Sequence, residues 1–237
     1  MKYVVALVLG FLTGAVLFTV GVLYNPFVAD RGLSPLTVTD AEVVALSYSV
    51  VPAETILYTN DGESMQTPHP LRVQQLWEAP IRQTDAMVSL LHDATGTPAG
   101  LGVKFSSKSE TTHLFGGKAI KDSAWYVYLP DRGSLFIYQT ENYWPFLQEV
   151  GFPAWRSSGN NWRGSWLGDL TAGPGALGTA AAFGSSGEFA GLEMEAVESL
   201  TVRAFSADAG FVSAEGRLLI ELPQAIEDDE LVPDPVD

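Results

Sequence analysis

One carboxylate stands where it could do chemistry. Glu198 lies in the stretch Gly191–Phe205, GLEMEAVESLTVRAF. Read with a period of two, Leu192, Met194, Ala196, Leu200, Val202 and Ala204 share one phase, and Glu193, Glu195, Thr201 and Arg203 take the other. Glu198 falls in the apolar phase. A carboxyl group held on that side would have its pKa raised by desolvation and could serve as an acid or base. Long strands bend, however, and the ordinary expectation is a bulge at Val197–Glu198 that turns the side chain to solvent. The stretch also fits a helix, with Leu192, Ala196, Leu200 and Ala204 four apart. The turn residues Ser206–Gly210 and the strand-like Phe211–Leu222 that follow favour a hairpin.

A second group of candidates is aromatic. Twelve aromatic residues fall between Trp125 and Trp166, among them Trp125, Tyr128, Tyr138, Trp162 and Trp166. Aromatic walls with few polar groups suit an apolar or conjugated small molecule, which makes these five the candidate ligand-binding residues. Two other readings remain open: a tryptophan belt at a membrane surface, and ordinary β-core packing, where aromatics are enriched in any case.

Other chemistries find no support. The chain has no cysteine, so thiol nucleophiles and cysteine-ligated metals are excluded. His69, His92 and His113 are scattered without ligand spacing, and no metal or other cofactor is expected. No G-x-S-x-G elbow occurs. Gly173–Gly178 (GPGALG) matches G-x-G-x-x-G in form, but Gly184-Ser185-Ser186-Gly187 follows too soon for the helix that motif requires, so it reads as a loop. A formal net charge of −15 argues against nucleic acid as a partner. Lys104, Lys108, Lys118 and Lys121 form a locally basic stretch, which is a solvated loop in the ordinary account and a headgroup contact in the functional one.

The elements that must position these residues are short and β-like. Glu42–Val51, Leu71–Glu78, Ala86–His92, the stretch opening at Leu101–Phe105, Ala124–Leu129 and Ser134–Thr140 are of strand length and separated by Gly/Pro turns. Pro130-Asp131-Arg132-Gly133 marks a hairpin. Asn142–Phe152 reads as a helical insertion or a loop, with Pro145 suited to a first helical turn. The expectation is an all-β antiparallel barrel or sandwich. The domain layout is an anchor over 1–24, a tether over 25–36, a β domain over 37–223 and an acidic, disordered tail over 224–237.

The anchor is Tyr3–Tyr24, an uncharged apolar run. About 20 residues rising about 1.5 Å each cross a hydrocarbon core of roughly 30 Å, and the run exceeds the apolar region of a cleaved signal peptide. Lys2 before it and Arg31 after it give a small bias toward a cytoplasmic N-terminus and an extracytoplasmic domain. Ala6, Gly10, Gly14 and Gly21 share one helical face. That stripe suits close packing on a partner helix or a second copy, although glycine is common in membrane helices generally.

Gly184-Ser185-Ser186-Gly187-Glu188-Phe189-Ala190-Gly191 with the hairpin after it, and Gly168-Asp169 upstream, resembles the end of the allene oxide cyclase and dirigent-protein barrels. The likeness covers about Trp166–Leu222, with Ser185 in place of the usual second glycine. It implies an antiparallel barrel of about eight strands whose apolar lumen takes a hydrophobic molecule. Three functions follow as expectations: a membrane-anchored module that binds an apolar ligand or docks to a membrane complex, a cyclase or isomerase working in that lumen with Glu198 as acid or base, and a structural subunit assembling through its membrane helix.

Overall fold

A computed structural model describes residues 2–23, 42–51, 56–58 and 84–223. The expected tether over 25–36, the strand expected at Leu71–Glu78, His69 and the tail over 224–237 lie outside the described residues. Helix α1 (Lys2–Leu23) contains the apolar run. At about 1.5 Å per residue its 22 residues are long enough to cross a bilayer core. The side chains of residues 3–21 are exposed, and the Phe18 ring lies 5.7 Å from that of Phe115 in the β domain.

Ten strands follow among the described residues: β1 (Val43–Ser49), β2 (Ile56–Tyr58), β3 (Thr84–His92), β4 (Pro98–Lys108), β5 (Ile120–Leu129), β6 (Gly133–Asn142), β7 (Asn161–Asp169), β8 (Ala180–Gly187), β9 (Glu193–Ser206) and β10 (Gly210–Glu221). All pairings are antiparallel, in the order β1-β10-β9-β8-β6-β5-β4-β3-β2, with β7 branching onto β9. A Ser47–His92 bridge joins β1 back to β3, so the sheet curls into a ring. The all-β, barrel-like class read from the sequence is the observed one.

The 130–133 turn connects β5 to β6 in register, Leu129 facing Gly133. The segment Gly191–Phe205 is strand rather than helix, and it pairs with β10 across the 206–210 turn. Asn142–Phe152 is the helical alternative: α2 (Trp144–Phe146) with Pro145 in its first turn, a π turn (Leu147–Gly151) and α3 (Phe152–Arg156).

Strand alternation divides the wall. On β5, Ser123, Trp125, Val127 and Leu129 are buried while Tyr128 is exposed; on β6, Leu135, Ile137, Gln139 and Glu141 are buried while Phe136 and Tyr138 are exposed. One end of the ring is filled by Leu91, Trp125, Val127, Leu129, Leu135, Ile137, Leu218 and Ile220. A second apolar cluster, of Phe146, Val150, Trp166, Leu170, Leu200 and Val202, lies beneath the helical insertion. The Gly-rich turn is explained by Phe189, whose side chain is fully buried. A β-carbon on Gly184 would strike the Phe189 backbone, and Gly187 and Gly191 have positive φ.

Candidate functional site

β9 changes neighbours at Glu198. Its first residues pair with β8 up to Ala196, and from Ser199 onward they pair with β7. The chain leaving β7 fills the junction: Leu170 donates its N–H to the Glu198 carbonyl at 2.8 Å, and the Glu198 N–H is received by Thr171 Oγ1 at 2.7 Å. Opposite, β10 stays in register, with Val197 facing Leu219 and Glu198 facing Leu218. The bulge expected at Val197–Glu198 is therefore absent. The irregularities of this pair fall at Phe211–Ala214 instead, and Glu198 keeps its inward phase, fully buried.

Four donors converge on the Glu198 carboxylate. Oε1 accepts from Tyr48 Oη and from Lys104 Nζ at 2.6 Å; Oε2 accepts from Trp125 Nε1 at 3.0 Å and from Gln139 Nε2. A second buried carboxylate completes the group. Glu141 Oε1 takes Lys104 Nζ at 2.5 Å, Ser123 Oγ at 2.7 Å and Gln139 Nε2 at 2.8 Å. Thr171 Oγ1 donates to Gln139 Oε1 at 2.8 Å and fixes which way that amide points. Glu141 Oε2 is buried and, among the described residues, has no hydrogen bond of ordinary geometry, although the Tyr143 phenol also interacts with the Glu141 carboxylate.

The electrostatics follow from one ammonium held between two carboxylates. Burial pushes the Glu198 carboxyl up, but the charge of Lys104 and the hydrogen bonds it receives outweigh this and hold it below the usual range. Burial also pushes Glu141 up, and there it prevails, helped by the nearby Glu198 charge. For Lys104, burial works against the charge, yet the two carboxylates raise its pKa and keep it an ammonium. Tyr48 and Tyr143 are raised well above their ordinary value, first by burial and then by the adjacent carboxylates, so both stay neutral phenols.

Above this layer is a cavity of about 520 Å³. Its walls include Val50, Met87, Ile120, Phe146, Leu170, Leu200, Phe205 and Phe211; Tyr48, Lys104, Tyr143 and Glu198 are polar groups of the buried layer that line it, and Asp85, Ser106, Lys108, Thr112 and Lys121 line it as well. Such a size falls within the range of small-molecule sites, roughly 300–1,000 Å³. Glu198 has spent all four of its acceptor positions, whereas an ammonium has three protons and Lys104 directs two at carboxylates. One Lys104 proton is left over, on an ammonium that lines the cavity and lies 5.3 Å from the centre of the Trp125 ring.

The sequence candidates are placed unevenly. Trp125 is buried and binds Glu198; Trp166 is buried in the second apolar cluster, with Trp162 packed against it. Tyr128 and Tyr138 lie on the outer wall, because they occupy the outward phase of β5 and β6. None of these five lines the cavity, whose aromatics are Tyr48, Tyr143, Phe146, Phe205 and Phe211. Lys104 is the one buried member of the basic stretch, so it belongs neither to a solvated loop nor to a headgroup contact. Ala6, Gly10, Gly14 and Gly21 line an open helix face. Sequence reasoning missed Tyr48, Lys104, Gln139 and Glu141. For the last two a signal existed, since both share the phase of Leu135 and Ile137 in SLFIYQTEN.

No protein-family model and no curated protein matches the chain. Among solved structures, a heme-binding cyclase catalysing [4 + 2] cycloaddition in neoabyssomicin biosynthesis aligns at 10% identity and a TM-score of 0.38, over 79% of this chain and 70% of that one. The Diels–Alderase AbmU from Streptomyces koyangensis aligns at 9% identity and a TM-score of 0.37, over 78% of this chain and 71% of that one. These are [4 + 2] cyclases rather than allene oxide cyclases, and at such scores no activity passes from them to this chain.

Proposed function

We propose that this chain is a membrane-anchored, extracytoplasmic β module that binds an apolar small molecule carrying one acceptor oxygen. The observation that carries the reading is the cavity of about 520 Å³, whose apolar walls end on Lys104 with one proton uncommitted. In this reading residues 1–24 anchor the chain, the N-terminus is cytoplasmic and the domain over 37–223 holds the ligand. The apolar body of the ligand replaces water along Met87, Leu170, Leu200 and Phe211, and its carbonyl or hydroxyl oxygen accepts from Lys104.

A second reading has its own support in the held charge of Lys104. An ammonium fixed between Glu141 and Glu198 polarises a bound carbonyl, which is what a cyclase or isomerase needs to stabilise developing negative charge. Glu198 then acts as a positioning residue, because its lone pairs are spent.

The full chain, purified from its own membrane in mild detergent, is expected to release a small apolar molecule in native mass spectrometry. It is also expected to bind the fluorophore 1-aminoanthracene. Met87→Trp and Leu200→Trp, which fill the cavity, should abolish that binding; equal binding by both variants would overturn the proposal. Chemical change of the released molecule on incubation with wild-type chain, but not with Lys104→Met, would favour the enzyme over the binding module.

A further inference from the structure

Among the described residues the cavity opens at one end of the ring. Asp85 at the start of β3, Lys108 at the end of β4, Lys121 at the start of β5 and Gly210 at the start of β10 all line it. Among the described residues two segments crown that end, the 109–119 loop and the insertion over 144–156. They are tied side by side: Tyr143 donates its N–H to the Ala119 carbonyl at 2.9 Å, and Asn142 Oδ1 accepts from the Ala119 N–H at 3.1 Å.

The crown is tipped with apolar side chains. Leu114 is 51% exposed, Phe115 67% and Trp155 64%. Beside them Lys108 and Lys118 are exposed and make no ion pair among the described residues. Lys121 is committed to Asp85 at 3.2 Å, and Glu110 is the one acid on the loop. Helix α1 reaches the same place, since its Phe18 ring meets that of Phe115. The apolar tips stand on separate elements and are interspersed with lysines in a chain of net charge −15. They match a lipid interface, where aromatic rings sit at headgroup depth and ammonium groups meet phosphates.

We propose that this crown rests on the lipid bilayer, with Leu114, Phe115 and Trp155 in the interface, so that the cavity mouth faces the membrane. β1 enters the ring at the opposite end, where Val43 pairs with Glu221. The chain between Leu23 and Glu42 spans roughly 60 Å when extended, more than the roughly 40 Å length of the 12-residue β10. Length therefore lets the mouth turn toward the anchor. The contact rests on this geometry alone; its consequence, that the ligand passes directly between bilayer and cavity, also rests on the ligand reading above.

The absence of cysteine makes the test direct. Phe115→Cys, Trp155→Cys, Tyr138→Cys and Leu177→Cys are each labelled with an environment-sensitive fluorophore in the full chain. The labelled chains are reconstituted in phosphatidylcholine–phosphatidylglycerol vesicles containing spin-labelled lipid. Tyr138 on the wall and Leu177 on the 173–178 loop are 52% and 70% exposed and report other faces. Labels at 115 and 155 are expected to be quenched several-fold more than those at 138 and 177. Equal quenching, or stronger quenching at 138, would overturn the proposal. Quenching at 115 and 155 in a chain that fails to bind 1-aminoanthracene would sustain the membrane contact and sink the ligand reading alone.

Discussion

Gly216 stands directly across the β1–β10 ladder from Tyr48, and a β-carbon built on Gly216 would fall within the Tyr48 phenol. The glycine therefore makes the room in which Tyr48 reaches inward to the Glu198 carboxylate. Gly102 does the same for Trp125, whose ring atom Cζ3 would lie 2.8 Å from an added β-carbon. Both donors to Glu198 are placed by the absence of a side chain on a neighbouring strand.

Gly216→Ala is expected to push Tyr48 off Glu198 and to destabilise the fold by about 1–3 kcal/mol, the usual cost of overpacking. Tyr48→Phe, which removes only the hydroxyl, should cost about 1.5–3 kcal/mol for a hydrogen bond to a charged group. In Tyr48→Phe/Gly216→Ala the two losses should add to less than their sum, because both remove one contact. Denaturant titration of the four chains measures this; full additivity would show that Gly216 acts elsewhere.

Glu198→Ala leaves Lys104, Trp125, Gln139 and Tyr48 without their shared acceptor. Breaking a buried ion pair from one side costs about 3–5 kcal/mol, or a fall in Tm of roughly 10 °C for a domain of this size. Calorimetry would show it. A Tm within a degree or two of wild type would mean that the site is hydrated and the cluster contributes little.

The Glu141 carboxyl has a folded pKa above its unfolded value. Its contribution to stability is present in full below the unfolded pKa, about 4.3, and is lost as pH rises through the folded value. Glu141→Gln removes that loss. The Tm of the variant relative to wild type is expected to rise as pH increases above about 4.5, the opposite of the trend at Glu198, whose lowered pKa makes its contribution vanish as pH falls. Thermal melts from pH 4 to 8 test the sign, and a difference that stays flat would count against it.

Gly14→Ile tests the open helix face. Among the described residues, nothing beyond the helix's own adjacent backbone lies within 4 Å of a β-carbon at Gly10, Gly14 or Gly21, so the substitution leaves α1 intact while blocking close approach of another helix. Energy transfer between labelled copies in vesicles is expected to fall. Unchanged transfer would remove the stripe of Ala6, Gly10, Gly14 and Gly21 as an assembly face.

The residues alone determined the class of the fold and the apolar helix. Short β-branched and aromatic runs between Gly/Pro turns can satisfy their backbone groups only by pairing, and the uncharged run over Tyr3–Tyr24 has no polar face for water. Local pattern also marked Glu198, because its phase along β9 is set by strand geometry and needs no partner. What the pattern left open was decided by neighbours. In GVKFSSK the apolar residues Val103 and Phe105 suggest an inward face, yet it is Lys104 that points in, since Glu141 on β6 and Glu198 on β9 wait there to neutralise it. In AWYVYL either phase is apolar, so only the register of β5 with β4 and β6 places Trp125 inside and Tyr128 outside. A buried charge is stable only with its partners, and these lie 37 and 94 residues away along the chain, so their meeting is a property of the closed ring.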